Sequence, residues 1–381
     1  MRIVTDRARS RLAALAFLLC AGLGSAQAKT VYTGDTIGSV RVISQLDVSD
    51  LEPGKKHRFY FQGIQMGTGQ HWYVPVMVAK GLNPGKRVLL GSGVHGDELS
   101  PVDVVQRTFA ELDPARMSGA VLAVLDMGRP AKEFVQRKWP TPLQGGSLVD
   151  MNRVWPGSDS RDLAFRHAFL VWNNLFKNNV DAALDFHTAA TGSDFTLFIF
   201  ADRRNPEVQQ LAELFPVQQI KDDPGLEGTL ETAFVKAGIP AITVEVGGPR
   251  TFDPPKIHVC VEGARNVLAH YGITDGKVGR TAKDSHAFFG NDLEVIRSST
   301  GGFAELLVKL GDKVKVGQKV ALQRNSFGDV LQEFTSSVDG EVAILGTDAL
   351  REPGARLMEI LVQRTDGRCG DGGCASPEED Y

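Results

Sequence analysis

The sequence predicts an α/β unit followed by a small all-β module, and three observations lead there. Between Lys86 and Asp275 short apolar runs alternate with stretches whose apolar residues recur at spacings of three and four, the pattern of a sheet covered by helices. Beyond Gly276 that periodicity stops, and residues 301–363 become short β-like pieces broken by Gly-Asp, Asp-Gly and Gly-Gln pairs. A chain of 381 residues, 42% hydrophobic and 23% charged, is long enough for two folding units and too apolar for disorder.

The first element is not part of the fold. Arg2, Arg7, Arg9 and Arg11 precede an apolar run from Leu12 to Leu23 that ends in Ala26-Gln27-Ala28, the layout of a secretory signal peptide. The run is shorter than the roughly 20 residues a permanent membrane helix needs, and Leu19 before Cys20 argues against a lipid anchor. Cleavage after Ala28 leaves a chain of 353 residues with a net charge of −7, expected to be exported to the periplasm without a stable membrane anchor. Nucleic acid is an unsuitable partner for that charge.

The catalytic-sized unit is expected to span residues 29–275. Residues 57–62 and 72–79 read as strands that add antiparallel partners to the sheet. Strands are then expected at 87–90, 120–126, 181–186, 196–200 and 241–245, and helices at 100–112, 160–178, 206–214, 229–237 and 256–271, often with Gly or Pro at their ends. The all-β module is placed at 276–365. Residues 366–381, rich in Gly and acidic residues, have the composition of a disordered tail. Within it Cys369 and Cys374 flank Gly-Asp-Gly-Gly and either close a small disulfide loop or stay unpaired, while Cys260 stays single.

The chemistry is concentrated at the ends of the apolar strands. After 87–90 comes Gly-Ser-Gly-Val-His-Gly-Asp-Glu-Leu-Ser, a glycine-rich loop that places His95 and Glu98 three apart and leads into a helix. Together they offer a nitrogen and an oxygen ligand suited to a borderline divalent ion such as zinc. Of the other histidines only His187 ends a buried strand, in Ala182-Ala183-Leu184-Asp185-Phe186-His187. In a parallel sheet the carboxyl ends of the strands open onto one crevice, so His95, Glu98 and His187 should meet there as metal ligands. Asp185, two residues back, is a candidate to orient His187. Glu245 closes another interior strand and is costly there unless it has a task. It is the candidate base that takes a proton from water and hands it to the leaving amine. In Asp150-Met151-Asn152-Arg153-Val154-Trp155-Pro156-Gly157, Asn152 and Arg153 have the donors to hold a substrate carboxylate, with Asp150 fixing the Arg or the loop.

The four motifs His-Gly-Asp-Glu, Asp-Met-Asn-Arg-Val-Trp-Pro-Gly, Asp-Phe-His-Thr and Thr-Val-Glu-Val-Gly-Gly, in this order over residues 80–270, resemble the succinylglutamate desuccinylase/aspartoacylase family of the zinc carboxypeptidase superfamily. The resemblance implies a zinc-carboxypeptidase-like mixed sheet flanked by helices, with Zn2+ on His95, Glu98 and His187. It also implies that Asn152 and Arg153 bind the substrate carboxylate and that Glu245 is the catalytic base and acid. The family places an Arg shortly before its Asn-Arg pair to polarise the scissile carbonyl. Here Arg137 stands fifteen residues before Asn152, which leaves that role open among Arg137, Arg129 and Lys138. Residues 301–342 resemble the barrel-sandwich module of lipoyl and biotinyl carriers, but the expected hairpin tip reads Gln323-Arg324-Asn325-Ser326-Phe327-Gly328, without the lysine a carrier modifies. A lid or specificity element is the expected use of the module.

These readings converge on an exported zinc hydrolase that cleaves an amide bond beside a free carboxylate. A deacylase of N-acyl amino acids competes with a carboxypeptidase acting on peptides or cell-wall peptides. A metal- or ligand-binding protein of the same fold is the non-catalytic alternative, disfavoured because binding alone does not require a base at Glu245.

Overall fold

Alternation along the apolar runs divides the core between the two faces of one sheet. Val88 and Leu90 enter one cluster with Phe109, Leu184, Phe186 and Ile199, whereas Leu89 enters the other with Val76, Leu122 and Ala183. Successive strand residues point to opposite faces, so a strand apolar at every position has to be covered on both sides. Helices Ser100–Glu111, Pro206–Glu213 and Pro254–His270 cover the first face, and Leu163–Val171 with Leu230–Lys236 covers the second.

The computed structural model describes residues 29–142 and 146–375, and in it eleven strands form this sheet. Their spatial order is Val31–Ile37, Val40–Gln45, Lys55–Gln65, His71–Lys80, Ser118–Val124, Asn83–Ser92, Ala182–His187, Ala241–Val246, Leu197–Ala201, Gln219–Asp222 and Phe288–Gly290. Asn83–Ser92, Ala182–His187 and Ala241–Val246 are mutually parallel neighbours, with Leu90 opposite Leu184 and His187 opposite Glu245. Their carboxyl ends therefore lie side by side on one edge of the sheet. The strands Lys55–Gln65 and His71–Lys80 pair antiparallel as expected, and Leu197–Ala201 runs antiparallel to Ala241–Val246, so the sheet is mixed.

Two elements depart from the expected pattern for identifiable reasons. The helix expected over 160–178 begins only at Leu163, because the Asp162 carboxylate accepts from the backbone N–H of Ala164 and Phe165 and caps it. It also changes pitch to a π turn over Trp172–Phe176. The parallel strand Gln219–Asp222 carries one apolar residue and so escaped the alternation test, yet Gln219 and Lys221 are both fully buried. Gln219 is held by the Thr196 hydroxyl at 2.7 Å.

After residue 275 the chain returns once to the large sheet through Phe288–Gly290, then builds β structure on its own. Asp292–Arg297, Gly340–Gly346 and Arg356–Val362 form one sheet together with Ser193–Phe195, which the preceding unit lends across by pairing with Ile344, Leu345 and Gly346. Val330–Thr335, Lys319–Arg324, Gly302–Leu306 and Leu350–Arg351 form another. The turn at residues 325–329 is organised by the Asn325 side chain, which accepts from the N–H of Phe327 and Asp329 and leaves the Phe327 ring exposed.

The tail departs most from expectation. Its composition predicted disorder, but residues 366–375 fold back onto the large sheet around a Cys369–Cys374 disulfide. The Cys374 N–H donates to Asn291 O at 2.8 Å, and its carbonyl accepts from the Lys221 ammonium at 2.6 Å. Cross-linking and these buried polar contacts supply what the apolar content does not. Cys260 is buried and unbridged. Residues 1–28, to which the signal-peptide reading belongs, and 376–381 lie outside the described residues. Among the described residues no helix is long and apolar enough to cross a membrane.

Candidate metal centre and active site

The parallel strand ends deliver the expected donors to one point. Gly93 at a φ of +69° turns the chain out of Asn83–Ser92, and Gly96 lets the loop press against Ala131, whose carbonyl carbon would lie 2.0 Å from a Cβ at that position. The loop so formed points His95 and Glu98 inward ahead of helix Ser100–Glu111. His187 comes in from the neighbouring strand end. The Glu98 carboxylate lies between the two imidazoles, with Oε1 2.7 Å from His95 Nδ1 and Oε2 3.0 Å from His187 Nδ1. All three residues are at most 2% exposed, and one donor atom from each lies within 4.8 Å of the others. Two imidazole nitrogens and a carboxylate oxygen in this cluster match the donor set a divalent ion such as zinc takes.

The remaining nitrogens of both histidines face carboxylates. His187 Nε2 donates to Asp185 Oδ2 at 2.8 Å, as the spacing of the strand suggested. His95 Nε2 donates to Asp150 Oδ1, also at 2.8 Å. Burial opposes a charge on either imidazole, yet the flanking carboxylates, Asp185 with Glu98 and Glu98 with Asp150, raise both above the ordinary histidine range. Burial likewise opposes ionisation of Glu98 and Asp150, but the imidazoles beside them hold both well below the usual carboxylate range. The electrostatics favour positive charge at the centre of the cluster.

Above the cluster opens a cavity of about 100 Å³. Its walls include His95 and His187 and also Arg137, Asn152, Arg153 and Glu245. Arg137 reaches Glu98 Oε1 at 3.1 Å and Asp150 Oδ2 at 3.5 Å. Arg129, the competing candidate, pairs with Glu133 and Asp126, and neither it nor Lys138 contributes to the wall. Asn152 spends its Oδ1 on the Leu230 N–H, which leaves the amide Nδ2 as the donor it can offer. The main chain of Arg153 is seated against Gly228, where a Cβ would come within 2.4 Å of the Arg153 carbonyl oxygen. Glu245 is 7% exposed, one strand over from His187.

Sequence reasoning missed several parts of this site. It gave Asp150 a role in holding the Arg or the loop, whereas the carboxylate also orients His95. The signal was the motif itself, since Asp150 is two residues from Asn152 in a segment that returns to the metal side. Asp223 and Glu231 line the cavity from the loop and helix after Gln219–Asp222, a strand the pattern hid. Burial first, and then Asp223, Asp185 and Asp202, push the Glu231 carboxyl well above its usual range. Leu293, Ile344, Arg356 and Glu359 of the C-terminal β structure also line the cavity. Arg356 donates to Glu359 and to the Ser193 hydroxyl. These were illegible because the contact is made across separate folding units.

The model of the succinylglutamate desuccinylase/aspartoacylase catalytic domain matches residues 84–271. The chain is 27% identical over 282 residues to N-alpha-acetyl-L-2,4-diaminobutyric acid deacetylase of Halomonas elongata, covering 71% of this chain and 80% of the relative. It is 28% identical over 227 residues to succinylglutamate desuccinylase of Pseudomonas aeruginosa, a match that spans 54% of this chain and 64% of that protein, just under two thirds. Two solved structures share the fold. A succinylglutamate desuccinylase/aspartoacylase from Rhodobacter sphaeroides aligns with a TM-score of 0.71 at 21% identity, covering 84% of this chain and 98% of that one. The ectoine utilization protein EutE (DoeB) from Ruegeria pomeroyi, in its product-bound structure, aligns with 0.72 at 19%, covering 84% and 97%.

Proposed function

The chain belongs, through residues 84–271, to the succinylglutamate desuccinylase/aspartoacylase family, and on that premise we propose that it is an exported zinc-dependent deacylase that cleaves an amide bond beside a free carboxylate. One observation carries the reading: the two imidazoles of the buried His95–Glu98–His187 cluster line a single cavity together with Glu245. Zinc held by His95, Glu98 and His187 would supply a Lewis acid for the carbonyl and lower the pKa of water toward neutrality. Glu245 takes a proton from the attacking water and returns it to the departing nitrogen. Arg137 donates to the oxygen on which negative charge develops. Asn152 and Arg153 bind the carboxylate next to the scissile bond.

A deacylase is favoured over a carboxypeptidase because Leu293, Ile344, Arg356 and Glu359 of the C-terminal β structure line the same cavity as the imidazoles, which suits a small acyl amino acid better than an extended peptide. On this reading the C-terminal β structure serves as a lid and specificity element. The relatives, named as a desuccinylase and a deacetylase, agree with a small acylated amino acid as substrate. The signal-peptide pattern read in the sequence of residues 1–28 supports the proposed export to the periplasm. The test is a screen of zinc-loaded protein against N-acyl amino acids and short cell-wall peptides, with detection of the released amine. Release from the acyl amino acids is expected. Release from peptides alone would move the reading to a carboxypeptidase, and no release from either class would favour a binding protein.

Two further outcomes are expected at this site. Arg153→Lys should raise KM for acid substrates by roughly ten-fold or more and leave amidated analogues nearly unaffected, since lysine keeps the charge but loses the planar fork. Equal effects on acid and amide would remove Arg153 from carboxylate recognition. Asp150→Asn should weaken zinc binding by roughly 10- to 100-fold, because the carboxylate fixes the ring orientation and basicity of His95. Competition against a chelator measures this, and an unchanged affinity would confine Asp150 to holding the loop.

A further inference from the structure

One wall of the cavity is tied to the C-terminal disulfide loop through one buried lysine. Lys221 is fully buried on the strand Gln219–Asp222, and its ammonium donates to Asp223 Oδ2 at 3.0 Å, to the Asp222 carbonyl at 3.1 Å and to the Cys374 carbonyl at 2.6 Å. Asp223 in turn lines the cavity and accepts at Oδ1 from the Gly225 N–H at 2.8 Å, so its carboxylate is fixed from two sides. The loop is seated at close quarters. Gly373, at a φ of +89°, lies where a Cβ would come within 2.2 Å of Asp222 O and 2.9 Å of Asn291 O, and the Cys374 N–H donates to Asn291 O. The Cys369–Cys374 bond holds the turn that makes this seat.

We propose that the Cys369–Cys374 loop is a strap that holds Lys221 and through it positions Asp223 at the substrate cavity, so that the redox state of the cysteine pair sets substrate binding and leaves the chemical step alone. The proposal rests on reading this cavity as the substrate pocket. Lys221 and Asp223 are positioning residues here. A buried ammonium needs its partners, and withdrawing the Cys374 carbonyl removes the shortest of its three hydrogen bonds and loosens the hold of Lys221 on Asp223. Reduction by an external dithiol breaks the Sγ–Sγ bond: two electrons and two protons pass to Cys369 and Cys374, which become thiols, and the dithiol closes to its own disulfide. A bridge of this kind forms in an oxidising compartment, so full substrate binding would be acquired only there.

The experiment compares the zinc-loaded protein, oxidised and dithiol-reduced, with the Cys369→Ser/Cys374→Ser double variant and with Lys221→Met, on an N-acyl amino acid that the protein hydrolyses. Zinc content is measured in every sample because dithiols chelate the metal. In the reduced protein and both variants KM should rise by roughly three- to ten-fold with kcat held within about two-fold, and dithiol should change nothing further in the double variant. Amide hydrogen exchange over residues 219–225 should be faster in the same samples, a readout that does not depend on turnover. An unchanged KM in the double variant overturns the proposal, as does a fall in kcat alone. Should no substrate be turned over, the hydrolase reading is what fails. The strap is then judged on exchange, where faster exchange in the double variant supports it and equal exchange overturns it.

Discussion

Glu245→Gln is expected to lower kcat by a factor of at least about 100, the low end of what general acid-base catalysis supplies, with zinc content and KM little changed. The expectation follows from where the strand Ala241–Val246 ends. Glu245 stands in register with His187, and both line the same cavity. The substitution is nearly isosteric, so the packing that leaves this residue 7% exposed is kept. Glutamine retains an acceptor and gains a donor, but it has no proton to shuttle between water and a leaving nitrogen. Steady-state kinetics with metal analysis on the same sample separates the outcomes. Loss of kcat at full zinc occupancy supports the base role, whereas near-normal turnover would assign the proton transfer to another group at the cavity.

The parts of this site that were legible in the sequence are those governed by local rules. Strands apolar at every position announced a sheet covered on both faces, and polar residues at the ends of such strands announced a crevice. His187 and Glu245 were found that way, and Asp185 followed from the period of two along a strand. The structure places His95, His187, Asn152, Arg153, Glu245 and Arg137 around one cavity, with Glu98 buried between the two imidazoles, although the distance of Arg137 along the chain from Asn152 left three candidates open. Illegible features depend on contacts between segments far apart in sequence. The strand Gln219–Asp222 buries Gln219 and Lys221, whose polar character hid it, and with it went Asp223 and Glu231. Arg356 and Glu359 belong to a β module whose placement over the crevice no periodicity encodes. The tail was misread for the same reason: its composition is that of disorder, and its order comes from one cross-link and from hydrogen bonds to Lys221 and Asn291.

Loss of either imidazole ligand should be the most damaging change to the metal centre. His187→Ala and His95→Ala are each expected to reduce zinc affinity by more than the roughly 10- to 100-fold that the loss of a supporting carboxylate costs, because a direct ligand is removed. The two variants should not be equivalent in stability. Removing His187 takes from the buried Asp185 the imidazole it pairs with at 2.8 Å, while Glu98 keeps His95 and Arg137, and breaking a buried pair in this way typically costs about 3–5 kcal/mol. Removing His95 leaves Glu98 and Asp150 still beside the Arg137 guanidinium, at 3.1 and 3.5 Å, which compensates part of the loss. Urea unfolding of the metal-free proteins should therefore rank wild type above His95→Ala and His95→Ala above His187→Ala. Metal analysis should find Asp185→Asn between wild type and His187→Ala, since that variant keeps the ligand and an acceptor for its Nε2 and loses the carboxylate charge that raises its basicity. Full zinc occupancy in both alanine variants would place the metal elsewhere, and the reading of this cavity as a zinc hydrolase site would fall with it.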